Sequence, residues 1–450
     1  MSKVIKIKKG LDIHLKGRAE KVLVDLGISA NYAVKPTDFE GLTPKLMVKA
    51  GHEVKIGTPL FYDKYKPEIL FTSPVSGTVS EINRGERRRI LEVIIKADEK
   101  SEYEAFTKAN PKDLQKDEIK ENILKSGLWP AIRQRPYAII ANPSDTPISI
   151  FISGFDSAPL APDYEFALKD DMNDFQTGVD ALKKITDGNV NLILHQELNA
   201  GGLFKSVKNV EFHEFSGPHP ASTIGVQINN IKALNKGEIV WYVNPIDVAK
   251  IGKLFNEGIF DSTKIIALTG SEVKMPQYFK ITDGADLLSI VRDNVKSGDV
   301  RYISGNVLTG EKLEKTNFLS YYDYQLTIIP EGNQPEFLGW GTPGFGKFSM
   351  TRTFFSWLNP KKEMTLDSNL HGGERPFVVT GEFEKVFPMD IYPMQLLKAI
   401  IIEDIDLMEQ LGIYEVAEED FALCEVINTS KIEIQKLVRQ GINVMIKEFS

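Results

Sequence analysis

The chain has 450 residues, 42% of them hydrophobic and 26% charged. These are the proportions of an ordinary globular protein, and the length calls for three or four domains rather than one core. A net charge of −8 argues against a general nucleic-acid or anionic-lipid surface, and the single cysteine, Cys424, excludes an intramolecular disulfide and any all-thiolate metal site. That cysteine count is compatible with a reducing compartment. No run of 18 apolar residues occurs, and the basic N-terminus lacks the apolar stretch of a secretory signal.

Residues 1–100 are rich in β-branched side chains punctuated by Gly and Pro, which predicts short strands and tight turns. Val48–Leu60 and Ser73–Val79 place glycines where a small sandwich needs sharp reversals, and the pattern resembles a biotinyl/lipoyl-type barrel-sandwich hybrid. Lys64 lies near the hairpin tip where such domains present a modified lysine, and a solvated turn lysine is the plainer reading. Residues 101–255 begin with a helical pattern over Pro111–Lys125. Strands then follow at Tyr137–Ala141, Ile148–Ile152, Val190–His195 and Glu238–Val243, with a helix over Phe175–Ile185. That alternation predicts an α/β layer with a mainly parallel sheet, although no G-x-G-x-x-G follows the first strand. Residues 256–330 read strand, strand, helix, strand (Lys264–Thr269, Gln277–Ile281, Ala285–Asn294, Val300–Ser304), the outline of a ubiquitin-like β-grasp. Residues 331–450 open with a Gly/Pro-rich loop and end in helices. One starts near Asp390 and Pro393, and the last covers Lys431–Lys447.

Several apparent motifs carry little chemistry. Gly339, Gly341 and Gly344 satisfy G-x-G-x-x-G, and Gly341 through Lys347 satisfy seven positions of a phosphate-binding loop. Phe348 cannot supply the hydroxyl required next, and Pro343 removes a backbone N–H that phosphate would need. His213 and His219 lack partners at metal spacing and read as structural or surface residues. Cys424 reads as a buried, inert thiol. Glu418-Glu419-Asp420 reads as an acidic helix start rather than a catalytic cluster.

Across almost the whole length, several strings occur in a shared order and spacing. They are Lys8-Lys9-Gly10-Leu11-Asp12, Ser216-Gly217-Pro218-His219-Pro220-Ala221, Phe337-Leu338-Gly339-Trp340, Thr351-Arg352, Glu384 through Ile391, and Glu418 through Cys424. Together they resemble the NqrA subunit of the bacterial sodium-translocating NADH:quinone oxidoreductase. More distantly the chain is similar to the C subunit of the Rnf complex and the flavin subunit of respiratory complex I. The resemblance implies a Rossmann-like second domain with a degenerate flavin site, an SLBB-like third domain and a C-terminal helical domain without iron–sulfur cysteines. Those distant relatives carry a glycine-rich loop beneath FMN, where absent side chains let the backbone approach the cofactor. Here the segment is Gly127 through Pro136, and Trp129, Pro130, Ile132 and Arg133 would fill that space. Departures from the family pattern are Ser222 and Gln227, where a glycine and a second histidine are usual, and Asn428, where a second cysteine is often found.

The resemblance further implies a peripheral subunit on the cytoplasmic face of the bacterial inner membrane, with no covalently bound cofactor of its own. NADH, flavins and iron–sulfur centres would belong to other subunits, an integral membrane subunit would be a partner, and ubiquinone or menaquinone would be reduced in a step coupled to sodium export. On this reading the altered cradle faces quinone. Trp129 and Tyr137 would offer aromatic faces, and Arg133, Gln134 and Arg135 would donate hydrogen bonds to quinone carbonyls. Lys35 and Pro36 form a second candidate from the adjoining domain. The competing readings are that the two arginines make inter-domain ion pairs, and that the chain is a cofactor-free scaffold docked on the membrane subunits.

Overall fold

The computed structural model describes residues 4–314, 317–332 and 336–449. Met1–Lys3, which begin the basic N-terminal stretch, and part of the loop opening the last block lie outside the described residues.

The central layer is a seven-stranded sheet in the order Ile5–Lys6, Glu211–Ser216, Asn189–His195, Ser149–Ser153, Val240–Tyr242, Arg133–Arg135, Ile139–Ile140. The first five strands run parallel, Arg133–Arg135 runs against them, and Ile139–Ile140 pairs antiparallel to Arg133–Arg135 as a hairpin. Side chains alternate between faces along a strand, so each inner strand feeds two cores. Ile150, Ile152, Leu192, Leu194 and Trp241 join one apolar cluster, while Phe151, Ile193, Val240 and Tyr242 join the other. Helices Met172–Lys184 and Pro245–Glu257 cover the first face and contact each other directly. Glycines permit that approach: a Cβ on Gly178 would lie 1.9 Å from the Val248 carbonyl oxygen, and one on Gly252 1.7 Å from that of Asp174. Helix Ile224–Lys232 packs on the second face against Ser149–Ser153, and the C-terminal helices join the same apolar cluster, which is why both faces of the sheet are apolar.

The N-terminal sandwich stacks a four-stranded sheet (Asn31–Val34, Ile90–Ala97, Gly77–Arg84, Glu53–Val54) and a three-stranded one (Pro44–Leu46, Pro59–Asp63, Leu70–Thr72). The first 25 residues depart from the expected single β block. Ile5–Lys6 extends the central sheet, and Glu20–Asp25 pairs in parallel with Gln277–Thr282 at the edge of a third sheet. That sheet has six strands, in the order Glu311–Leu313, Val300–Ser304, Gln325–Pro330, Thr263–Thr269, Gln277–Thr282, Glu20–Asp25. Its helix is Leu287–Val291, shorter than the pattern predicted, because Arg292 enters the left-handed region (φ 32) and Asn294 bonds the Met275 backbone instead.

The last block supplies helices Pro393–Ile401, Ile405–Gln410, Ala422–Ile427 and Ile434–Phe449. The final helix begins three residues later than predicted because Lys431 adopts positive φ (59). Among the described residues, no helix is long and apolar enough to cross a membrane.

Candidate functional site

In an open parallel sheet, the crevice for a ligand lies beyond the carboxyl ends of the two strands from which the chain departs in opposite directions. Here those strands are Ser149–Ser153, followed in space by Asn189–His195, and Val240–Tyr242 on its other side. A cavity of about 370 Å³ opens there, within the size range of small-molecule sites. Its walls come from three parts of the chain. The central sheet contributes Arg133, Asp156, His219, Tyr242 and Asn244, the third sheet contributes Tyr322 through Gln325, and the last block contributes Glu418 and Glu419. A second cavity of equal volume, bounded by Ser76, Asp98 and Lys280, lies away from those strand ends.

Arg133 lines the first cavity. Its guanidinium lies 4.8 Å from the Tyr322 ring centre and 5.2 Å from that of Tyr242, in cation–π geometry. One N–H donates to the Ala138 carbonyl (3.1 Å), folding the side chain over the tight hairpin in which Tyr137 (φ 82) and Ala138 (φ 53) are both left-handed. Burial works against its charge, but Tyr242 and Glu419 outweigh that and hold the group above the usual guanidinium range. The Tyr242 hydroxyl is buried and has no hydrogen-bond partner among the described residues. Burial pushes it up to about 12 despite Arg133, so it is a neutral donor at pH 7. The Tyr322 hydroxyl donates to the Pro130 carbonyl (2.7 Å), and its ring also meets Phe39 (5.6 Å) and Tyr321 (5.1 Å) edge to face.

Most of the other residues expected to face a ligand are turned to structural tasks. Trp129 is fully buried, packs edge-on against Trp241 (5.5 Å) and donates its indole N–H to the Ala141 carbonyl (2.8 Å). It offers no free face, because the ring is enclosed in the apolar core. Gln134 is buried, and its amide oxygen accepts from the Asn142 N–H (2.8 Å). Arg135 is 1% exposed and is spent on Asp420 (3.0 Å) and Glu419 (2.8 Å), an inter-domain ion pair of the kind given as its competing role. Burial raises the Asp420 carboxyl, and Arg135 opposes the rise. Tyr137 is half-buried against Tyr414 (6.1 Å), and Arg439 donates to its carbonyl (2.9 Å). Lys35 is buried in an ion pair with Asp38 (3.2 Å) and lines a small separate cavity, while Pro36 is buried at the start of a short 3₁₀ turn.

The sequence reading missed Tyr242, Tyr322 and Asp156. The run Tyr321-Tyr322-Asp323-Tyr324, three phenols in four positions, carried a signal for the second, whereas Tyr242 looks like any strand residue. His219 is not a surface residue. It lines the cavity, and burial lowers it to about 4, so the ring is neutral at pH 7. Its Nδ1 meets the Ser157 hydroxyl (3.1 Å), which continues to Ser222 (2.8 Å) and on to Asp156 (3.2 Å). Asp156 is itself raised by burial. Gln227, in place of a second histidine, is fully buried and donates to Ser153 (2.8 Å). The Glu418–Phe421 turn is a helix start as expected, with the Ala417 N–H donating to Asp420 (2.7 Å). Cys424 is buried and raised by desolvation. Lys347 closes its own loop, donating to the Gly339 carbonyl (2.6 Å) rather than standing open to phosphate. Among the described residues, no His, Cys, Asp and Glu cluster could hold a metal ion.

Three of the strings that carried the resemblance meet beside this site. The Ile7 N–H donates to Ser216 O (2.8 Å), Leu11 N–H to His219 O (2.8 Å), His219 N–H to Asp12 (2.9 Å), and Gly10 N–H to Lys385 O (3.1 Å). A Cβ on Gly10 would fall 2.1 Å from the His219 carbonyl oxygen, so only glycine fits the contact.

Three family models match the chain: the NqrA N-terminal barrel-sandwich hybrid domain over residues 5–98, the NqrA second alpha/beta domain over 114–260, and the NQRA C-terminal domain over 265–315. The NqrA subunit of the Na(+)-translocating NADH-quinone reductase of Pasteurella multocida (strain Pm70) is 36% identical over 448 residues, covering 99% of this chain and 100% of that one. The corresponding protein of Photorhabdus laumondii is 34% identical over 443 residues, covering 97% and 98%. Among solved structures, an NAD+-reducing [NiFe]-hydrogenase in the air-oxidized state aligns with a TM-score of 0.40 at 12% identity, over 76% of this chain and 62% of that chain. With full-length identity above a third and three family domains in sequence, the chain belongs to the NqrA family of Na(+)-translocating NADH-quinone reductase subunits.

Proposed function

We propose that this chain serves as the NqrA component of a sodium-translocating NADH:quinone reductase, and that the cavity around Arg133 is its quinone-facing surface at the terminal-reduction end. The observation that carries the reading is the buried Tyr242 hydroxyl, unpartnered beside a guanidinium that makes no ion pair among the described residues. A quinone is a flat ring with two carbonyl acceptors. Arg133 and Tyr242 offer donors to those oxygens, and the Tyr322 ring holds the guanidinium in place. Gln134, Arg135 and Trp129 hold the strand and hairpin that aim Arg133, and Tyr137 sets the turn its guanidinium caps. On this reading the chain lies at the cytoplasmic face of the membrane. It supplies a binding wall, and electrons from NADH arrive through partner subunits.

The test is titration of the full chain with a short-chain ubiquinone, followed by intrinsic tryptophan fluorescence and calorimetry. Saturable binding is expected. Loss of a hydrogen bond to a charged donor in Arg133→Ala weakens it about 10- to 100-fold, and Tyr242→Phe about tenfold or less. Absence of saturable binding, or binding unchanged in both variants, defeats the assignment and leaves the scaffold reading, with the quinone pocket in a partner.

A further inference from the structure

Between Phe337 and Lys362 the chain departs from its own average. These 26 residues hold seven Phe or Trp side chains, four cations (Lys347, Arg352, Lys361, Lys362) and no carboxylate, in a protein of net charge −8. Glu336 and Glu363 bound the segment, and the first of them is taken up by Lys347. Five of the seven rings face outward, while Phe348 and Phe354 are half-buried, the first against the core. Phe337 is 91% exposed, Trp340 78% and Phe345 58%, and Phe355, Trp357 and Leu358 stand out beside them. Large apolar groups so exposed and so close in sequence mark an interaction site.

The segment is held in this display by its own bonds. Lys347 ties back to the Gly339 carbonyl (2.6 Å), Lys362 to the Phe345 carbonyl (3.0 Å), and the Phe355 N–H to Pro343 O (2.8 Å). Phe345 and Phe355 meet edge to face (5.8 Å), and the Arg352 guanidinium sits over the Trp357 ring (5.5 Å).

We infer that this segment is a docking surface for an anionic phospholipid bilayer. Trp and Phe beside Lys and Arg suit the headgroup boundary, where rings enter the acyl region and cations meet lipid phosphates. Regular structure in the segment is limited to two short 3₁₀ turns, Gly339–Gly341 and Phe355–Leu358, so no strand edge or long helix face is offered to a protein partner. The overall charge of −8, which speaks against a lipid-binding surface for the chain as a whole, does not describe this face. The inference is independent of the quinone assignment, because none of these residues lines the Arg133 cavity.

The test uses the full chain with vesicles of phosphatidylcholine alone or mixed with phosphatidylglycerol. Expected are co-sedimentation with the anionic vesicles at low salt, and tryptophan quenching by lipids brominated on their chains. Trp340→Ala should remove most of that quenching. Arg352→Glu changes the local charge by two and should weaken binding roughly 25-fold, at about fivefold per surface charge. Circular dichroism that matches the wild type keeps a folding defect out of the result. The inference is overturned by failure to co-sediment at low salt, by binding unchanged in both variants, or by a photo-crosslinker at position 340 that labels only protein in native membranes.

Discussion

The chain has four tryptophans, and they divide into two pairs with opposite surroundings. Trp129 and Trp241 are fully buried, meet edge to face and sit behind the wall of the Arg133 cavity, whereas Trp340 and Trp357 stand in water on a loop. The same side chain is a keystone in one place and a contact surface in the other. What differs is the backbone beneath. The first pair rides on a paired strand and a turn bonded to it, and the second on irregular chain without a sheet or long helix to cover it.

Removing a member of each pair should give opposite results. Trp241→Ala, which opens a cavity between the sheet and its helices, should cost about 3–5 kcal/mol in urea denaturation. A value under 1 kcal/mol would show that the buried pair is not structural. Arg135→Ala should cost a similar amount, about 3–5 kcal/mol, because it strands the buried Asp420. Adding Asp420→Asn should return part of the loss, and a double variant no better than the single one would refute that cause.

A smaller effect comes from Asp38, in the small cavity near Lys35. Burial raises its carboxyl from 3.8 to about 6, against Lys35 and the Tyr321 N–H. The folded chain therefore holds this proton more tightly than the unfolded one. The stabilisation is full below about pH 4 and is lost as pH rises through 6. Comparing wild type with Asp38→Asn by urea midpoints from pH 4 to pH 7, the gap should change by about 1–3 kcal/mol and then level off. A gap independent of pH would remove Asp38 as its source. The smallest expected change is Trp340→Ala, within about 0.5 kcal/mol of wild type, as for any exposed side chain away from packed structure. A loss above 2 kcal/mol would mean the loop is packed, and the contrast between the two pairs would fail.

Much of the scaffold was legible because it follows from period and punctuation. The alternation that puts Ile150 and Ile152 on one face and Phe151 on the other reads directly as a strand, and Pro393 marks its helix start. Less of the candidate site could be read, because its walls come from three distant stretches of chain. Arg133 and Arg135 are two residues apart and look equivalent in sequence. Only the folded chain shows that one meets Tyr242 and Tyr322 while the other is consumed by Asp420. The strand Glu211–Ser216 was hidden because His213 and Glu214 interrupt its apolar character, and His213 is satisfied by Asn191 (2.9 Å).

The two N-terminal strands carry a consequence for how the molecule is made. Ile5–Lys6 waits for Glu211–Ser216, and Glu20–Asp25 for Gln277–Thr282, each more than 200 residues further on. A ribosome adding about 5–20 residues per second leaves the first strand exposed for roughly 10–40 s before its partner emerges. Both sheets are thus finished late, by an early stretch of chain pairing with one made much later. A nascent chain halted before residue 211 would hold the N-terminal sandwich complete and its leading strand still unpaired.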